Sequence, residues 1–447
     1  MNLTTSRKVG VSLLLLLHTH LVISQTDTLP SAFSLEECIQ YALEHQPVLR
    51  QSQIDEEITR KEIGASLAAW LPQVSADFDF IDNLDKPNIV LPNQETGGSQ
   101  VIEVGVAFQS NAALNATQTL FNNDVRIAVR TASTLKTQAR QNTVATQIDV
   151  FVGVSQTFFD LVIALDQIRI LDQDISRLQK NVRDARNRYE SGIADNVDYK
   201  QATIQLNNAL AQRATTQELI PYRRALLKQQ MGYPQDQTLE IEYNMDALRS
   251  EVLSDTIPAL VLEDRIEYRL LQTQRELQEA AISRYRWGFL PSLNAFYNYQ
   301  YSYFNDNFAQ LYDRSFTSSQ VGLRMSIPLI QGTARIKNLQ AAKLQSEQLV
   351  YEQQLLTDQL TTEYEESRAV YQGAYQNWQL QRENEQLAQE VYRTIQLQYD
   401  EGIIPYIEVI QAETDLRSAQ LNTSNALLQV LSSKVDLLRA LGIVPVN

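Results

Sequence analysis

Tyr297-Asn-Tyr-Gln-Tyr-Ser-Tyr303 places an aromatic ring at every second residue and a polar side chain between each pair. In an extended chain alternate side chains point to opposite faces, so the four tyrosines share one face and Asn298, Gln300 and Ser302 share the other. Three further segments alternate in the same way. Val74, Ala76, Phe78 and Phe80 oppose Ser75, Asp77 and Asp79. Ile102, Val104, Val106 and Phe108 oppose Glu103, Gly105, Ala107 and Gln109, and Val321, Leu323, Met325 and Ile327 oppose Gly322, Arg324 and Ser326. Strands are expected over 73–82, 101–119, 292–304 and 317–328, with Asn83–Gln100 and Asn305–Phe316 as hairpin loops. Apolar residues outward, polar residues inward and aromatics suited to a membrane interface are the pattern of a transmembrane barrel. A soluble sheet with one face on a core is the commoner origin of such alternation. Two features oppose it: the flanking helices are too long to fold back as cover, and the polar faces carry Asp77, Asp79, Glu103 and Arg324. Four strands cannot close a barrel, and open edges in lipid leave backbone groups unpaired. The strands must therefore be pooled between copies, about eight from two chains or twelve from three. The alternation does not choose between these.

Working outward, the strands sit inside a duplicated frame. Tyr189-Glu-Ser-Gly192-Ile193 returns as Tyr399-Asp-Glu-Gly402-Ile403, an offset of 210. At the same offset Asp198 meets Glu408, Gln201-Ala202 meets Gln411-Ala412, and Met231-Gly232 meets Leu441-Gly442. The reading is of two structural repeats, 25–232 and 258–447, joined by an equatorial linker over 233–257. Each runs helix, two strands, very long helix, helix. Ser34 with Glu37 forms a capping-box pattern opening a helix over 34–70, which Pro47 kinks or restarts. Between Asn123 and Glu190 there is no proline and one interior glycine, and 332–400 repeats that composition. At 1.5 Å per residue each long helix measures about 100 Å. The shorter helices, 34–70 with 196–232 and 258–288 with 406–441, have combined lengths that match the long ones. They are expected to stack end to end beside them, with the junctions near the linker and the C-terminus.

Composition narrows the function. The chain has 447 residues, 44% hydrophobic, with a formal charge of −15, which excludes a nucleic-acid partner. One cysteine, Cys38, and three histidines, His18, His20 and His45, leave no basis for a disulfide framework, a metal site or a cofactor. Arg7 and Lys8, the apolar run from Val9, and Ser24 read as a cleaved signal peptide over 1–24, giving a mature charge of −17. Cys38 follows Leu35-Glu36-Glu37 and reads as a buried helix residue, not a lipid anchor. No later stretch reads as apolar enough to span a membrane as a helix, so membrane entry is expected through strands.

On these residues the chain resembles the TolC-like outer-membrane efflux family. The resemblance rests on Ser34-Leu-Glu-Glu-Cys-Ile-Gln-Tyr-Ala42 with Pro47, on Trp70-Leu71-Pro72, on Ile327-Pro-Leu-Ile-Gln-Gly332 and on the paired Tyr-x-x-Gly tips. It implies a mainly α fold with a small β part: a homotrimer whose 12-stranded outer-membrane β-barrel continues as a periplasmic α-helical barrel. It further implies a passive exit duct in outer-membrane lipid, docked by a periplasmic adaptor protein at the Gly192 and Gly402 tips. An inner-membrane pump or a type I secretion transporter would feed it. Carried over residue by residue, the closing end of the duct falls on Asp198 and Tyr399. Its two constriction rings fall on Glu408 and Gln411, and the arginine that completes the family's lock falls on Ile404. One ring thus keeps its carboxylate, and a salt-bridge lock is absent. Asp198 and Glu408 could instead serve as caps at their helix starts. A trimeric coiled-coil rod or periplasmic adaptor is the alternative function; it accounts for the helices but not for two matching amphipathic hairpins. An enzyme has no nucleophile–histidine pair or phosphate loop to support it.

Overall fold

The computed structural model describes residues 32–92, 99–193, 195–252 and 257–444. The signal peptide expected over 1–24, and Gly97 and Gly98 of the first loop, lie outside these. Eight α-helices and six strands occur among the described residues: α1 Leu35–His45, α2 Pro47–Ala68, β1 Gln73–Asp82, β2 Asn88–Pro92, β3 Ser99–Glu103, β4 Phe108–Phe121, α3 Asn123–Glu190 and α4 Asn196–Met231. After these come α5 Met245–Glu251, α6 Ile266–Arg286, β5 Ser292–Asn305, β6 Ser315–Ser326, α7 Ala334–Asp400 and α8 Tyr406–Leu441.

The first helix opens with the reciprocal box read from Ser34 and Glu37: Glu37 N–H donates to Ser34 Oγ (3.3 Å), and Ser34 N–H donates to the Glu37 carboxylate (2.8 Å). Pro47 does more than kink this segment. It starts a separate helix, because the residue before a proline is driven out of the α region and Gln46 sits at ψ 122°. The α4 helix ends against that break. Gln46 Nε2 donates to the carbonyls of Gln229 (3.0 Å) and Gln230 (2.7 Å). In the second half α8 ends against the start of α6, where buried Arg265 donates to the Ala440 carbonyl (2.8 Å) and pairs with Glu363 (3.0 Å). The columns are therefore α4 on α2 and α8 on α6, while α1 packs on α3 and α4 beside the first junction.

Around these junctions lies one large core. Phe158, Leu161 and Ile163 of α3 meet Trp378 of α7, Leu427 and Leu431 of α8, and Leu239, Leu248 and Val252 of the linker. Here one expectation is corrected. A stretch of α3 is long and apolar enough to cross a membrane, but most of it is buried inside the protein. It is the equatorial core segment, covered by α1, α4 and α8.

Both hairpins contribute to one antiparallel sheet in the order β1-β4-β5-β6, so the two halves meet at β4 and β5. Register puts the alternating residues on common faces. Val74 pairs with Ala116, Ala116 with Tyr297, and Tyr297 with Val321. Phe78 is 79% exposed and Val321 83%, so nothing in the protomer covers this face. On the other face Asn115 Nδ2 donates to Asp77 (2.5 Å), and Gln300 donates to Asn111 (3.3 Å). The strand expected over 101–119 is the second correction. It is broken at 104–107, where Gly105 adopts φ +115° and Val104 N–H turns to the Pro87 carbonyl. Ile102 thus belongs to, and Val104 adjoins, a separate β2–β3 ribbon that combines part of the expected loop with the first residues of the expected strand, and the spanning strand is Phe108–Phe121. Asp306 holds the break, accepting from Ala107 N–H (2.9 Å) and pairing with Lys86 (2.7 Å). The loop over 305–316 likewise holds a short 3₁₀ turn, Phe308–Gln310, whose Phe308 ring packs on Phe80 and Phe108.

Candidate functional site at the helical tips

Far from the sheet, α3 turns into α4 and α7 into α8 through two turns of the same design. Gly192 N–H bonds to the Tyr189 carbonyl and Ile193 N–H to that of Arg188, both at 2.9 Å. In the second half Gly402 bonds to Tyr399 and Ile403 to Gln398, also at 2.9 Å. Both glycines sit at φ +75°, the left-handed conformation that closes a helix C-terminus with least strain in glycine. No atom lies within 4 Å of a Cβ built on either, so backbone conformation, not space, requires glycine here.

Tyr399 is buried at the last turn of α7, its ring 5.3 Å from that of Tyr406 and 4.4 Å beneath the Arg188 guanidinium. Burial raises its hydroxyl pKa, opposed by Arg188 and reinforced by Asp198. Asp198 is half-buried in the first turn of α4. Burial and then Asp195 push its carboxyl up, while Arg188 opposes them. Tyr399, Asp198 and Arg188 are thereby brought together. Arg188, on α3, was not singled out from the sequence, yet it is the cation that stands beside Tyr399 and Asp198. Ile404 packs into the apolar cluster of Ala185, Ala202, Tyr399, Tyr406, Val409 and Ile410. Neither Asp198 nor Glu408 caps its helix. Asp195 caps α4 by accepting from Val197 N–H (3.3 Å), and Pro405 occupies the cap position of α8.

Glu408 and Gln411 lie exposed on one face of α8, separated from Tyr399 by the buried face of Tyr406, Val409 and Ile410. One turn on, exposed Asp415 accepts from Gln411 Nε2 (2.9 Å). The spacing 408, 411, 415 could have revealed this carboxylate. The burial of Glu413, two residues from Gln411, could not be read from spacing. No group of three or more metal-ligating side chains occurs among the described residues.

A sheet open at both edges and apolar on its uncovered face, carried on helices of about 100 Å that end in a polar tip, defines the protomer of a membrane exit duct. The chain belongs to the outer membrane efflux protein family, whose profile matches residues 38–232 and 259–443 and passes over the linker. It is 20% identical over 424 residues to the outer membrane protein TolC of Vibrio cholerae, covering 92% of this chain and 91% of that one. It is 22% identical over 416 residues to a probable efflux pump outer membrane protein, TtgC, of Pseudomonas putida, covering 92% and 83%. Among solved structures it is similar to the outer membrane protein VceC of Vibrio cholerae, with TM-score 0.72 at 17% identity over 91% of this chain and 96% of that one. The outer membrane channel CmeC of Campylobacter jejuni gives TM-score 0.71 at 17% identity, covering 91% and 85%. The protein is an outer-membrane exit duct for efflux with a periplasmic part, and the rod reading falls.

Proposed function

We propose that three copies of this chain close a 12-stranded barrel in the outer membrane and continue it as a helical barrel. Each repeat, 25–232 and 258–447, contributes two strands and one helical column. The single observation that carries this reading is the β1-β4-β5-β6 sheet, whose free edges and bare apolar face require neighbours and lipid together. Trp70, Trp287 and Phe289, exposed where helices give way to strands, suit the membrane boundary. The tips at Gly192 and Gly402 serve as docking points for a periplasmic adaptor, which couples the duct to an inner-membrane pump. Small molecules delivered by the pump pass through without chemistry on the way.

At the tips, Asp198, Tyr399 and Arg188 hold the helix ends, and Glu408 from each of three chains forms one ring of carboxylates with Gln411 as a neutral second ring. Like charges held close in a constriction concentrate cations. Divalent block is weaker than a two-carboxylate constriction would give. Planar-bilayer recording tests the assignment. Glu408→Gln is expected to reduce cation preference and divalent block, and Asp415→Asn to do so less. Unchanged selectivity in Glu408→Gln, with both properties controlled by a carboxylate elsewhere, would refute it.

A further inference from the structure

The two halves are joined along α3 and α8 by a ladder of polar links. From the equator toward the tips they are Asp149–Arg439 (3.0 Å), Gln156–Asp436 (2.9 Å), Gln167–Asn425 (2.7 Å), Asp166–Ser424 (3.1 Å), Asp174–Arg417 (3.3 Å) and Asn181–Glu413 (3.0 Å). Beyond Asn181 and Glu413 the described seam is apolar: Ala185 of α3 with Tyr406, Val409 and Ile410 of α8. Glu413 is therefore the last polar rung before the tip, and it is an ill-matched one. Its side chain is 3% exposed and one oxygen accepts from Asn181 Nδ2, while Oε1 has no hydrogen-bond partner. The nearest cation atom, Arg177 Nε, stands 3.8 Å from Oε1 and is also without a hydrogen-bond partner. Arg177 is engaged by Asp174 at 2.9 Å.

We infer that Glu413 is a positioning residue that sets how firmly the tip ends of α3 and α8 hold together, packing them tightly in acid and loosening them as pH rises through neutrality. The inference rests on the reading of this end as the closing end of the duct. The groups facing Glu413 are Asp174, Arg177 and Asn181 from α3, Tyr392 from α7, and Tyr406 and Arg417 from α8. Burial pushes the Glu413 carboxyl up to about 7, and the Asp174 charge adds to this. Arg177, Asn181 and Arg417 pull the other way without cancelling it. When the seam parts, water reaches the carboxyl and it returns to about 4.3. Between these values the packed seam binds more protons than the parted one, so acid favours packing. That preference is lost as pH rises through the packed-state value. From pH 6 to pH 8 the ratio of packed to parted seam falls about tenfold per protomer.

The full-length protein in planar bilayers, titrated on the tip side from pH 6 to 8, is expected to show its open-to-closed ratio rise about tenfold if one parted seam opens the duct, and about a thousandfold if the three seams part together. Glu413→Gln keeps the acceptor for Asn181 but cannot ionise, so its profile should be flat at the acidic level. Glu390→Gln, at an exposed carboxylate of α7 outside the seam, should keep the wild-type profile. Hydrogen exchange of the same protein, corrected for intrinsic pH dependence, reads the seam whether or not current flows. Protection over 182–190 and 406–412 should fall with pH in the wild type and stay constant in Glu413→Gln. If Glu413→Gln does not assemble, Glu413→Asp should retain a titration with a displaced midpoint. A Glu413→Gln profile like that of the wild type, or a flat wild-type profile in both measurements, overturns the inference. Exchange that follows Glu413 while the open-to-closed ratio stays constant with pH leaves the inference standing and removes the reading of this end as the closing end of the duct.

Discussion

Gly232 and Gly442 do at the equator what Gly192 and Gly402 do at the tips, with a further constraint. They sit at φ +70° and +72°, and a Cβ on Gly232 would lie 2.8 Å from the Gln46 Cα and the His45 carbonyl oxygen. On Gly442 it would lie 2.8 Å from the Asp264 carbonyl oxygen. These neighbours are backbone and cannot rotate away. Gly442→Ala should therefore cost about 3 kcal/mol, the upper end of what a strained backbone position carries. Gly402→Ala, with open space around it, should cost only the left-handed backbone penalty, about 1–2 kcal/mol. Denaturant unfolding of the two variants side by side checks the difference; equal losses would mean that the stacked junctions yield. The match of Met231-Gly232 to Leu441-Gly442 was legible in the repeat, but the chain segments that press on these glycines were not. They lie far earlier in the sequence, at His45-Gln46 for Gly232 and at Asp264 for Gly442.

Among the elements, α3 was legible to its last residue because a run without proline, bounded by Asn122 and Gly192, is a local property. The second strand was not. Its spanning part, Asn111-Ala-Ala-Leu-Asn-Ala-Thr117, has small residues where β5 has tyrosines, and Tyr297–Tyr303 across the ladder supplies the bulk. Small residues facing large ones weaken the alternation in either strand read alone. Register, not the alternation that includes Val104, identifies the lipid-facing position to test, since Val104 lies at the break. Leu114 stands between Ala76 and Tyr299 on the bare apolar face. Leu114→Arg should destabilise the assembled protein by about 2–4 kcal/mol if it lies near the bilayer midplane. Asn111→Arg, on the polar face, should leave stability nearly unchanged and alter conductance. Unfolding from detergent or lipid, paired with single-channel recording, checks both.

For the whole molecule, the open sheet makes the protomer incomplete. The detergent-solubilised protein is expected to run as a stable trimer by light scattering or native mass measurement; a stable monomer would remove the proposed barrel. Exposed apolar stripes on α7 and α2 agree with such neighbours. Leu344, Tyr351 and Leu355 on α7, and Ile54 and Ile58 on α2, are exposed in the protomer and fall at helical spacing.

The sequence by itself determined the duplication, the helix lengths, the tip turns and the period-two faces, since periodicity, proline and glycine act within a few residues. The family resemblance followed from the same short-range signals and their order. Only the tertiary structure decided that Arg188 stands over Tyr399, that Gly105 diverts the second strand, and that Glu413 is buried while Glu408, five residues earlier, is exposed. Burial and charge pairing depend on what another helix brings from more than 200 residues away, as Asn181 comes to Glu413. No window along one helix contains that information.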